Sequence, residues 1–390
     1  MIKYLFKRDT ILVSVLVFVV MGLLSLIPVN THVLDPIKLA LEDFDYNDLA
    51  YSQFNKNAHT PVDTSIVIVN ISDAARPEIA AIVNAAARQG AKAIGVDVLF
   101  NEAKDSGTDA LLQEVFARNN VVLAYNLIKE KTDFKQIGFL YTYAKHKGFA
   151  NFVGEETGVI RHFAPAFTKK ENFYLSFPAA IARVAYPLAS QELLAKNKQT
   201  LQVNYTRAKD KFIVLEGRDI LQPGNRSALA NKIVLIGFVA NDPYSIEDKH
   251  FTPFNKKSVG KSVPDMEGIF VHANIISMIR DGAYVKKSPV WINWLIASLL
   301  CWFHVALFTW YFLDNHLWFH LVAKLAQVVS AVLFVYLGLL FYFKWDVKIN
   351  LTPTFVAIIL AVDVLYFYEA FMAWLHKKFG VHSIFVKTHH

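Results

Sequence analysis

Three adjacent stretches decide the fold of the largest part of this chain: SIVIVNIS (Ser65–Ser72), PEIAAIVNAAARQG (Pro77–Gly90) and AIGVDVLF (Ala93–Phe100). The first and third are continuous apolar runs rich in β-branched residues, which is typical of buried strands. The second has apolar residues at helical spacing, with Pro near its start and Gly at its end. Two such strands joined by a helix indicate a parallel sheet covered on both faces.

The alternation of strands and helices continues along the chain. The apolar pattern predicts helices at about residues 108–118, 177–186 and 266–280, and strands at about 121–127, 201–205, 212–215 and 232–237. We interpret residues 30–289 as one α/β domain with a largely parallel sheet.

The whole chain is too apolar for a soluble cytosolic enzyme or a disordered protein. Of its 390 residues 54% are hydrophobic and only 19% are charged, whereas about a quarter are charged in soluble domains. Most of the excess lies in residues 10–29, 290–313, 317–343 and 353–375. Each window is close to the ~20 apolar residues that cross a bilayer as a helix. The sequence therefore predicts four transmembrane helices, which contact membrane lipid.

Basic residues lie at both ends of the chain, outside the predicted spans. They are Lys3, Lys7, Arg8, Lys377, Lys378 and Lys387. Four crossings put both ends on one side, and the positive-inside rule makes that side the cytoplasm. We therefore expect residues 1–9 and 376–390 in the cytoplasm, the spans in a bacterial inner membrane, and residues 30–289 outside.

A cleaved signal peptide is the alternative interpretation of the first window. Its apolar stretch is longer than usual for a signal peptide, and Ser25–Pro28 is a poor cleavage site. We therefore favour a retained anchor.

Net charge and cysteine content exclude some classes of function for the outer domain. The chain has a net charge of +7, of which +2 lies in residues 1–29 and +2 in residues 290–390, so residues 30–289 carry only +3. That is too little for a nucleic-acid surface. The one cysteine, Cys301, lies in a predicted span, so the outer domain has no disulfide and no thiolate metal site.

Seven motifs in order resemble the CHASE2 sensor domain, over roughly residues 30–376. They are DFDY (Asp43–Tyr46), IVIVNISD (Ile66–Asp73), GAKAIGVDVLF (Gly90–Phe100), GVIRHFAP (Gly158–Pro165), KIVLIG (Lys232–Gly237), DKHFTP (Asp248–Pro253) and EGIFVHANII (Glu267–Ile276). The resemblance implies an extracytoplasmic α/β sensing module between one membrane helix and about three more. In the family the signal usually passes to a cytoplasmic kinase or nucleotide cyclase.

Two features depart from that family pattern. Residues 376–390 are too few to fold into a catalytic output domain, so we expect signalling through a membrane or periplasmic protein partner. Family members often carry a Gly/Trp/Pro/Arg-rich stretch after the first strand, where this chain has DAARPE (Asp73–Glu78). A ligand site shaped by that stretch would be altered here.

Polar residues follow several predicted strands, and parallel sheets bind ligands at the carboxyl ends of their strands. We expect a cleft for a small polar ligand or a hard cation to draw on eight residues: Asp73, Asp97, Arg161, Asp242, Asp248, Thr252, His272 and Asn274. The alternative is purely structural, with Asp97 bonded to loop amides, His272 in the core and Arg161 paired with a nearby acid.

Catalytic and cofactor motifs are missing from the sequence. It contains no G-x-S-x-G elbow, H-E-x-x-H pair or Walker loop. We therefore predict no enzymatic activity, no cofactor and no metal centre.

Ionisable residues lie inside the predicted spans, and three of them stand out: His304, Lys324 and Asp363. Such residues are costly in lipid unless they have partners. They are candidates for a polar relay or a protein docking point, with hydrogen bonding within the helix bundle as the alternative.

Our hypothesis is a non-enzymatic envelope protein that binds an extracytoplasmic ligand or protein and acts through a partner. A scaffold subunit with a degenerate pocket is the alternative, and an envelope hydrolase using Asp97, Asp248 and His272 is a weaker one. A cleft filled by side chains would favour the scaffold, and an enclosed polar cavity the sensor.

Overall fold

The computed structural model describes residues 1–26, 48–52, 54, 59–130, 134–153, 158–169, 171–222, 229–242, 245–255 and 263–386. The chain divides into two compact units, Ala40–Val285 and the pair of segments Met1–Leu39 and Lys286–His390. Asp43–Tyr46, residues 27–29 of the first predicted span, and Lys387 lie outside the described residues.

The helices are numbered along the chain. They are α1 (Ile2–Leu5), α2 (Arg8–Ser25), α3 (Asp48–Ser52), α4 (Arg76–Arg88), α5 (Ser106–Phe116), α6 (Phe177–Ala185), α7 (Pro187–Ala195), α8 (Gly217–Leu221), α9 (Gly268–Asp281), α10 (Val290–Asp314), α11 (Phe319–Trp345) and α12 (Thr352–Phe379).

The strands follow the same numbering. They are β1 (Asp63–Asn70), β2 (Ala93–Asp97), β3 (Val121–Lys129), β4 (Phe134–Ile137), β5 (His146–Phe149), β6 (His162–Phe163), β7 (Ala166–Lys169), β8 (Asn172–Leu175), β9 (Leu201–Gln202), β10 (Phe212–Glu216), β11 (Ile233–Gly237), β12 (Lys249–His250), β13 (Met266–Glu267), β14 (Lys286–Lys287) and β15 (Val347–Lys348).

One mixed, mostly parallel sheet forms the centre of the unit Ala40–Val285. Within the described ranges it has seven strands in the order β10-β1-β11-β2-β3-β4, and β5 also pairs with β3. Only β4 runs antiparallel to its neighbour. The register places Asn70 opposite Gly237, and Gly237 opposite Asp97. The carboxyl ends of β1, β11 and β2 therefore lie side by side.

Helices cover both faces of this sheet, as its uninterrupted apolar strands predict. On one face the buried residues of α4 and α5 pack with alternate residues of β1, β2, β3 and β11. On the other face α6 lies close against the sheet because glycines leave room for it. A Cβ at Gly95 would lie 2.4 Å from Ile181 Cδ1, and one at Gly148 would lie 2.5 Å from the Cα of Phe177.

The predicted α/β fold is confirmed, with strands β1, β2, β3, β10 and β11 and helices α4, α5, α6 and α9 in the predicted order. The region between β3 and α6 differs from the simple alternation. It contains β4 to β8, short strands that pair antiparallel except for β5. Strands of two to four residues are too short to show a periodic apolar pattern.

A buried ion-pair network, which the sequence pattern did not indicate, ties the start of β1 to α9. The Asp63 carboxylate accepts a hydrogen bond from Arg280 at 2.9 Å and lies 3.5 Å from Arg207. It also accepts from the Ser65 amide at 2.9 Å. Burial raises the pKa of Asp63, but Arg280, the amide and Arg207 lower it further, so the net pKa lies below its usual value.

Four helices in the described part of the second unit are long and apolar enough to cross a membrane: α2, α10, α11 and α12. This agrees with the predicted pattern of one span before the α/β domain and three after it. Buried side chains of α2, α10 and α12 share one apolar core with Phe319 and Ala323 of α11.

Polar contacts join the ends of this bundle. Asp9, at the start of α2, is 4% exposed and accepts hydrogen bonds from the Tyr368 hydroxyl at 2.7 Å and the Ile384 amide at 3.0 Å. The Trp302 indole donates to the Leu5 carbonyl at 2.8 Å. The segment after α12 is thereby held against α2.

Candidate ligand-binding site

The carboxyl ends of the central strands open into a cleft of about 480 Å³. The described residues that line it are Ile71, Asp97, Val98, Leu99, Asn126, Ala150, Asn151, Phe152, Phe238, Glu247, Asp248, His250, Gly268 and His272. Its position at the strand ends is the one that the parallel sheet predicts. Its side chains leave a space large enough for a small molecule.

Asp97 is the last residue of β2 and forms the floor of the cleft. Its side chain is 15% exposed. Burial raises the pKa of Asp97 from 3.8 to about 7, and the negative charge of Asp248 adds to the rise. The carboxyl group is therefore divided between its protonated and ionised forms near neutral pH.

His272, in the second turn of α9, faces Asp97 from the opposite side. Its ring stacks on Phe152 with centroids 4.6 Å apart and meets the edge of Phe177 at 5.2 Å. The distance from His272 Nε2 to Asp97 Oδ2 is 3.8 Å, too long for a direct hydrogen bond.

The protonation state of His272 follows from its burial. Only 3% of the side chain is exposed, and burial, with His250 nearby, lowers the pKa of His272 to about 3. The ring is therefore neutral at neutral pH. Among the described residues no group forms a hydrogen bond with Nδ1, although that atom is buried. A buried polar atom of this kind is costly to leave unpaired.

Asp248 and His250 enter the cleft from the DKHFTP segment. Asp248 has a φ of +53°, and its carbonyl oxygen accepts a hydrogen bond from the Gly268 amide at 3.0 Å. The short pair β12–β13 then aligns Lys249 with Glu267. Gly268 also lines the cleft, and a Cβ there would be in contact with both His250 Nε2 and Phe152 at 3.4 Å.

Asn70, at the end of β1, organises the loops beside the cleft. Its Oδ1 accepts hydrogen bonds from the amides of Val239 at 2.9 Å and Ser72 at 3.0 Å. Its Nδ2 donates to the Glu216 carboxylate at 3.2 Å. One buried amide thus joins the turns that follow β1 and β11 to the end of β10.

The structure brings three of the eight predicted site residues together in the cleft: Asp97, Asp248 and His272. Two others form hydrogen bonds within the fold and do not line the cleft. Thr252 is hydrogen-bonded to Asp265, and Asn274 is hydrogen-bonded to the backbone of Arg207. That these three cleft residues bind a ligand stays a prediction.

The remaining predicted residues also lie outside the cleft lining. Arg161 forms an ion pair with Asp48 at 2.7 Å. Asp73 is 88% exposed and lies 3.7 Å from Arg218. Asp242 is exposed in the loop after β11.

Several lining residues were missed from the sequence: Asn126, Asn151, Glu247 and His250. The rule for strand ends would have found Asn126, which lies near the end of β3. Glu247 precedes the DKHFTP motif, and His250 is its third residue.

The charge of the cleft restricts its ligands. Glu247, Asp248 and Asp97 line it, and the described part of the lining contains no Lys or Arg. No group of three or more His, Cys, Asp or Glu is arranged to hold a metal ion within the described residues. With Arg161 elsewhere, the arrangement suits an uncharged or cationic organic molecule with hydrogen-bonding groups rather than an anion.

The ionisable residues of the spans are placed separately. His304 in α10 contacts the Leu300 carbonyl at 2.7 Å and the Ser330 hydroxyl at 2.8 Å, so it links α10 to α11. Lys324 in α11 and Asp363 in α12 are exposed on the outside of the bundle.

A mostly parallel α/β domain attached to four apolar helices of spanning length defines a membrane protein. The family model of the CHASE2 domain matches residues 15–310, well over half of the chain. The chain therefore belongs to the CHASE2 family of sensor domains. No curated protein and no solved structure matches it.

Proposed function

We propose that this protein is a non-catalytic membrane sensor. Its α/β domain lies outside the cytoplasmic membrane of a bacterium and binds a small polar ligand, uncharged or cationic, in the strand-end cleft. The signal leaves through a partner protein. Membership of a sensor-domain family supports the general role, and the lining of the cleft supports the ligand class.

The pair of Asp97 and His272 in the cleft lining is the observation that carries this proposal. A neutral imidazole presents one donor and one acceptor, and stacking on Phe152 holds the ring in place. Asp97 stands 3.8 Å from Nε2 of His272, too far for the two groups to satisfy each other. A ligand with a hydroxyl or ammonium group pairs with the Asp97 carboxyl group and with Nε2 as it enters, which recovers the cost of their burial.

The shape of the cleft meets one of the two criteria set by the sequence. A degenerate scaffold pocket would be filled by side chains, whereas about 480 Å³ remains here. The cleft is open to solvent and is not the enclosed cavity that a sensor would favour, so it argues only against a filled pocket.

For a hydrolase, Asp97, Asp248 and His272 line the cleft, but its described lining contains no Ser, Thr, Cys, Lys or Tyr, so a nucleophile there would have to be a carboxylate or an imidazole. Membership of a sensor-domain family favours binding over catalysis. Ligand binding is the better-supported function.

Thermal shift of the full-length protein in detergent, followed by calorimetry of the hits, tests the ligand class. The compounds are a panel of small molecules sorted into cationic, uncharged and anionic members. We expect hits from the cationic and uncharged members. His272→Phe keeps the aromatic contact with Phe152 but removes both ring nitrogens, and should weaken binding roughly tenfold. Asp97→Asn should weaken the binding of cationic ligands most.

Asp73→Asn is the matched control, because Asp73 is exposed and lies outside the lining. Binding should be unchanged in this variant. A panel in which only anions bind, or hits that His272→Phe and Asp97→Asn leave unchanged, would refute the assignment of the cleft.

A further inference from the structure

A second pocket of the α/β domain, with a volume of about 180 Å³, lies beside β5. Four of its described lining residues are basic: Lys145, His146, Lys147 and Arg183. We call it the basic pocket. No described residue lines both this pocket and the strand-end cleft.

The charge of the basic pocket is opposite to that of the cleft. Its described lining contains two Lys, one Arg and one His, and no Asp or Glu. The described lining of the cleft contains three carboxylates and no Lys or Arg. Because residues 30–289 carry a net charge of only +3, this group of cations is a local concentration and not a sample of a generally basic surface.

β5 and α6 bring these cations together. The segment KHK (Lys145–Lys147) leads into and forms the first half of β5. α6 packs closely against this strand because Gly148 leaves room for Phe177. Arg183 follows Phe177 by six residues on the same helix, and Ala180, one turn before Arg183, adds only a methyl group to the pocket wall.

None of these cations has a carboxylate partner in the part of the chain that the structure describes. Lys145 donates a hydrogen bond to the side-chain oxygen of Asn119, a neutral group. The ammonium group of Lys147 lies 4.9 Å from the centre of the Tyr141 ring. Arg183 forms no hydrogen bond or ion pair with any described residue. The positive charges are therefore not balanced within the described fold.

Partial burial makes this lack of a counter-charge costly. His146 and Lys147 are half-buried, and burial lowers the pKa of Lys147 below its usual value. Burial, with Lys145 and Arg183 nearby, also lowers the pKa of His146. The cations thus repel one another, and side chains of this kind are seldom buried without a partner. A bound anion would relieve both effects.

Gln136, which also lines the pocket, adds a second requirement. Its Oε1 atom is buried, and no described residue forms a hydrogen bond with it. Because an amide oxygen is an acceptor, the group that satisfies it must be a donor. The ligand therefore needs a hydroxyl group as well as negative charge.

We infer that the basic pocket binds a phosphate group, either as hydrogen phosphate or as the monoester of a small polyol. Such a group carries a charge of about −1.5 to −2 at neutral pH, and its ion or its polyol supplies the hydroxyl for Gln136. Arg183 suits bidentate contact with phosphate oxygens, and Lys145 and Lys147 act as point charges. The inference goes beyond the proposed function and does not rest on it.

Other anions fit the pocket less well. A carboxylate carries a single negative charge and would leave more of the positive charge unbalanced. Sulfate has the charge and the size of hydrogen phosphate but carries no proton at neutral pH, so it has no donor for Gln136. Sulfate is therefore the informative comparison.

Calorimetric titration of the full-length protein in a non-ionic detergent, at constant ionic strength, tests the inference. The probes are inorganic phosphate, glycerol 3-phosphate and sulfate. We expect both phosphate compounds to bind, and sulfate to bind roughly two- to tenfold more weakly than phosphate, because one neutral hydrogen bond is missing. Tighter binding of glycerol 3-phosphate would assign the pocket to a monoester, and tighter binding of inorganic phosphate would assign it to the free ion.

Variants show whether the basic pocket is responsible. Arg183→Gln and Lys147→Gln should each weaken phosphate binding roughly ten- to a hundredfold, as expected for the loss of a charge-assisted hydrogen bond. Because Arg183 is exposed, its replacement should leave the unfolding midpoint unchanged. Gln136→Leu should remove the preference for phosphate over sulfate.

Lys135→Gln is the matched control. Lys135 precedes Gln136 in β4, is exposed and does not line the pocket, so this variant loses the same charge close by and should bind phosphate as the parent protein does. The inference is overturned if phosphate does not bind, if sulfate binds equally well, if Arg183→Gln and Lys147→Gln bind like the parent, or if Lys135→Gln loses as much affinity as they do. Because the assay needs no cleft ligand, its failure leaves the proposed ligand site untouched.

Discussion

The contributions of Asp97 and His272 to the stability of the fold depend on pH in opposite directions. The folded pKa of Asp97, about 7, lies above the unfolded 3.8, so its stabilising contribution is complete below about pH 4 and is lost as pH rises through 7. The folded pKa of His272, about 3, lies below the unfolded 6.5, so its contribution is complete above 6.5 and is lost as pH falls toward 3. Between these limits the two effects oppose each other.

Single substitutions should separate the two effects. Asp97→Asn removes the Asp97 titration and keeps that of His272, so stability relative to the parent protein should fall as pH is lowered from 6.5 to 4. His272→Phe keeps only the Asp97 titration of the two, so stability relative to the parent protein should rise as pH is lowered from 7 to 4. Each change is expected to reach about 4 kcal/mol over its full range.

Thermal unfolding of the full-length protein in detergent at several pH values measures both profiles. Asp73→Asn is the control and should follow the parent protein. If both variants kept the parent profile, the assignment of these two titrations would be wrong.

The residues of the cleft also show what a sequence can reveal about a site. Asp97 was predictable because it lies late in an apolar strand, and His272 because it lies near the start of a helix in a specific motif. The pairing of Arg161 with Asp48 was not, since the two are 113 residues apart. The apolar pattern locates strands and helices, but it does not show which distant loops meet.

Among the secondary-structure elements, α6 packs so closely on the sheet that backbone meets backbone. A Cβ at Gly148 would lie 2.5 Å from the Cα and 2.7 Å from the nitrogen of Phe177. Backbone atoms cannot swing aside as a side chain can, so any larger residue must displace the start of the helix.

We therefore expect Gly148→Ala to lower the free energy of unfolding by about 3 kcal/mol, at the upper end of overpacking effects. The measurement is the unfolding midpoint of the full-length protein. Gly22→Ala in α2 is the matched control, because nothing lies within 4 Å of the added methyl group. A Gly148→Ala protein as stable as the control would show that α6 packs less closely than described.

Long elements were predictable, whereas short ones were predicted poorly. The strand expected at 201–205 is reduced to the two residues of β9. Strands β1, β2, β3 and β11 have five to nine residues each, mostly apolar and buried, so their pattern stands out in the sequence. The strands β6 and β9 have two residues each. Their pairing comes from tertiary packing, which a local pattern does not contain.

For the whole molecule, the side of the membrane on which the α/β domain lies decides which ligands it meets. The charge pattern predicts that the domain lies outside and that the first residues lie in the cytoplasm. The single cysteine of the chain, Cys301, is buried, so a Cys301→Ser background allows labelling at one chosen site.

In that background Leu188→Cys, at a position 76% exposed in the domain, should react with an impermeant maleimide in intact spheroplasts. Ile2→Cys, at a position 75% exposed, should react only after the membrane is permeabilised. The reverse pattern would place the domain in the cytoplasm and remove the basis for an extracytoplasmic sensor.

Asp9 is synthesised long before the groups that satisfy its carboxylate. Its carboxylate is satisfied by Tyr368 and by the amide of Ile384, which leave the ribosome more than 350 residues after it. Throughout that interval α2 lacks these two hydrogen-bond donors. Closure of the helix bundle around Asp9 therefore follows the synthesis of the α/β domain and of helices α10, α11 and most of α12.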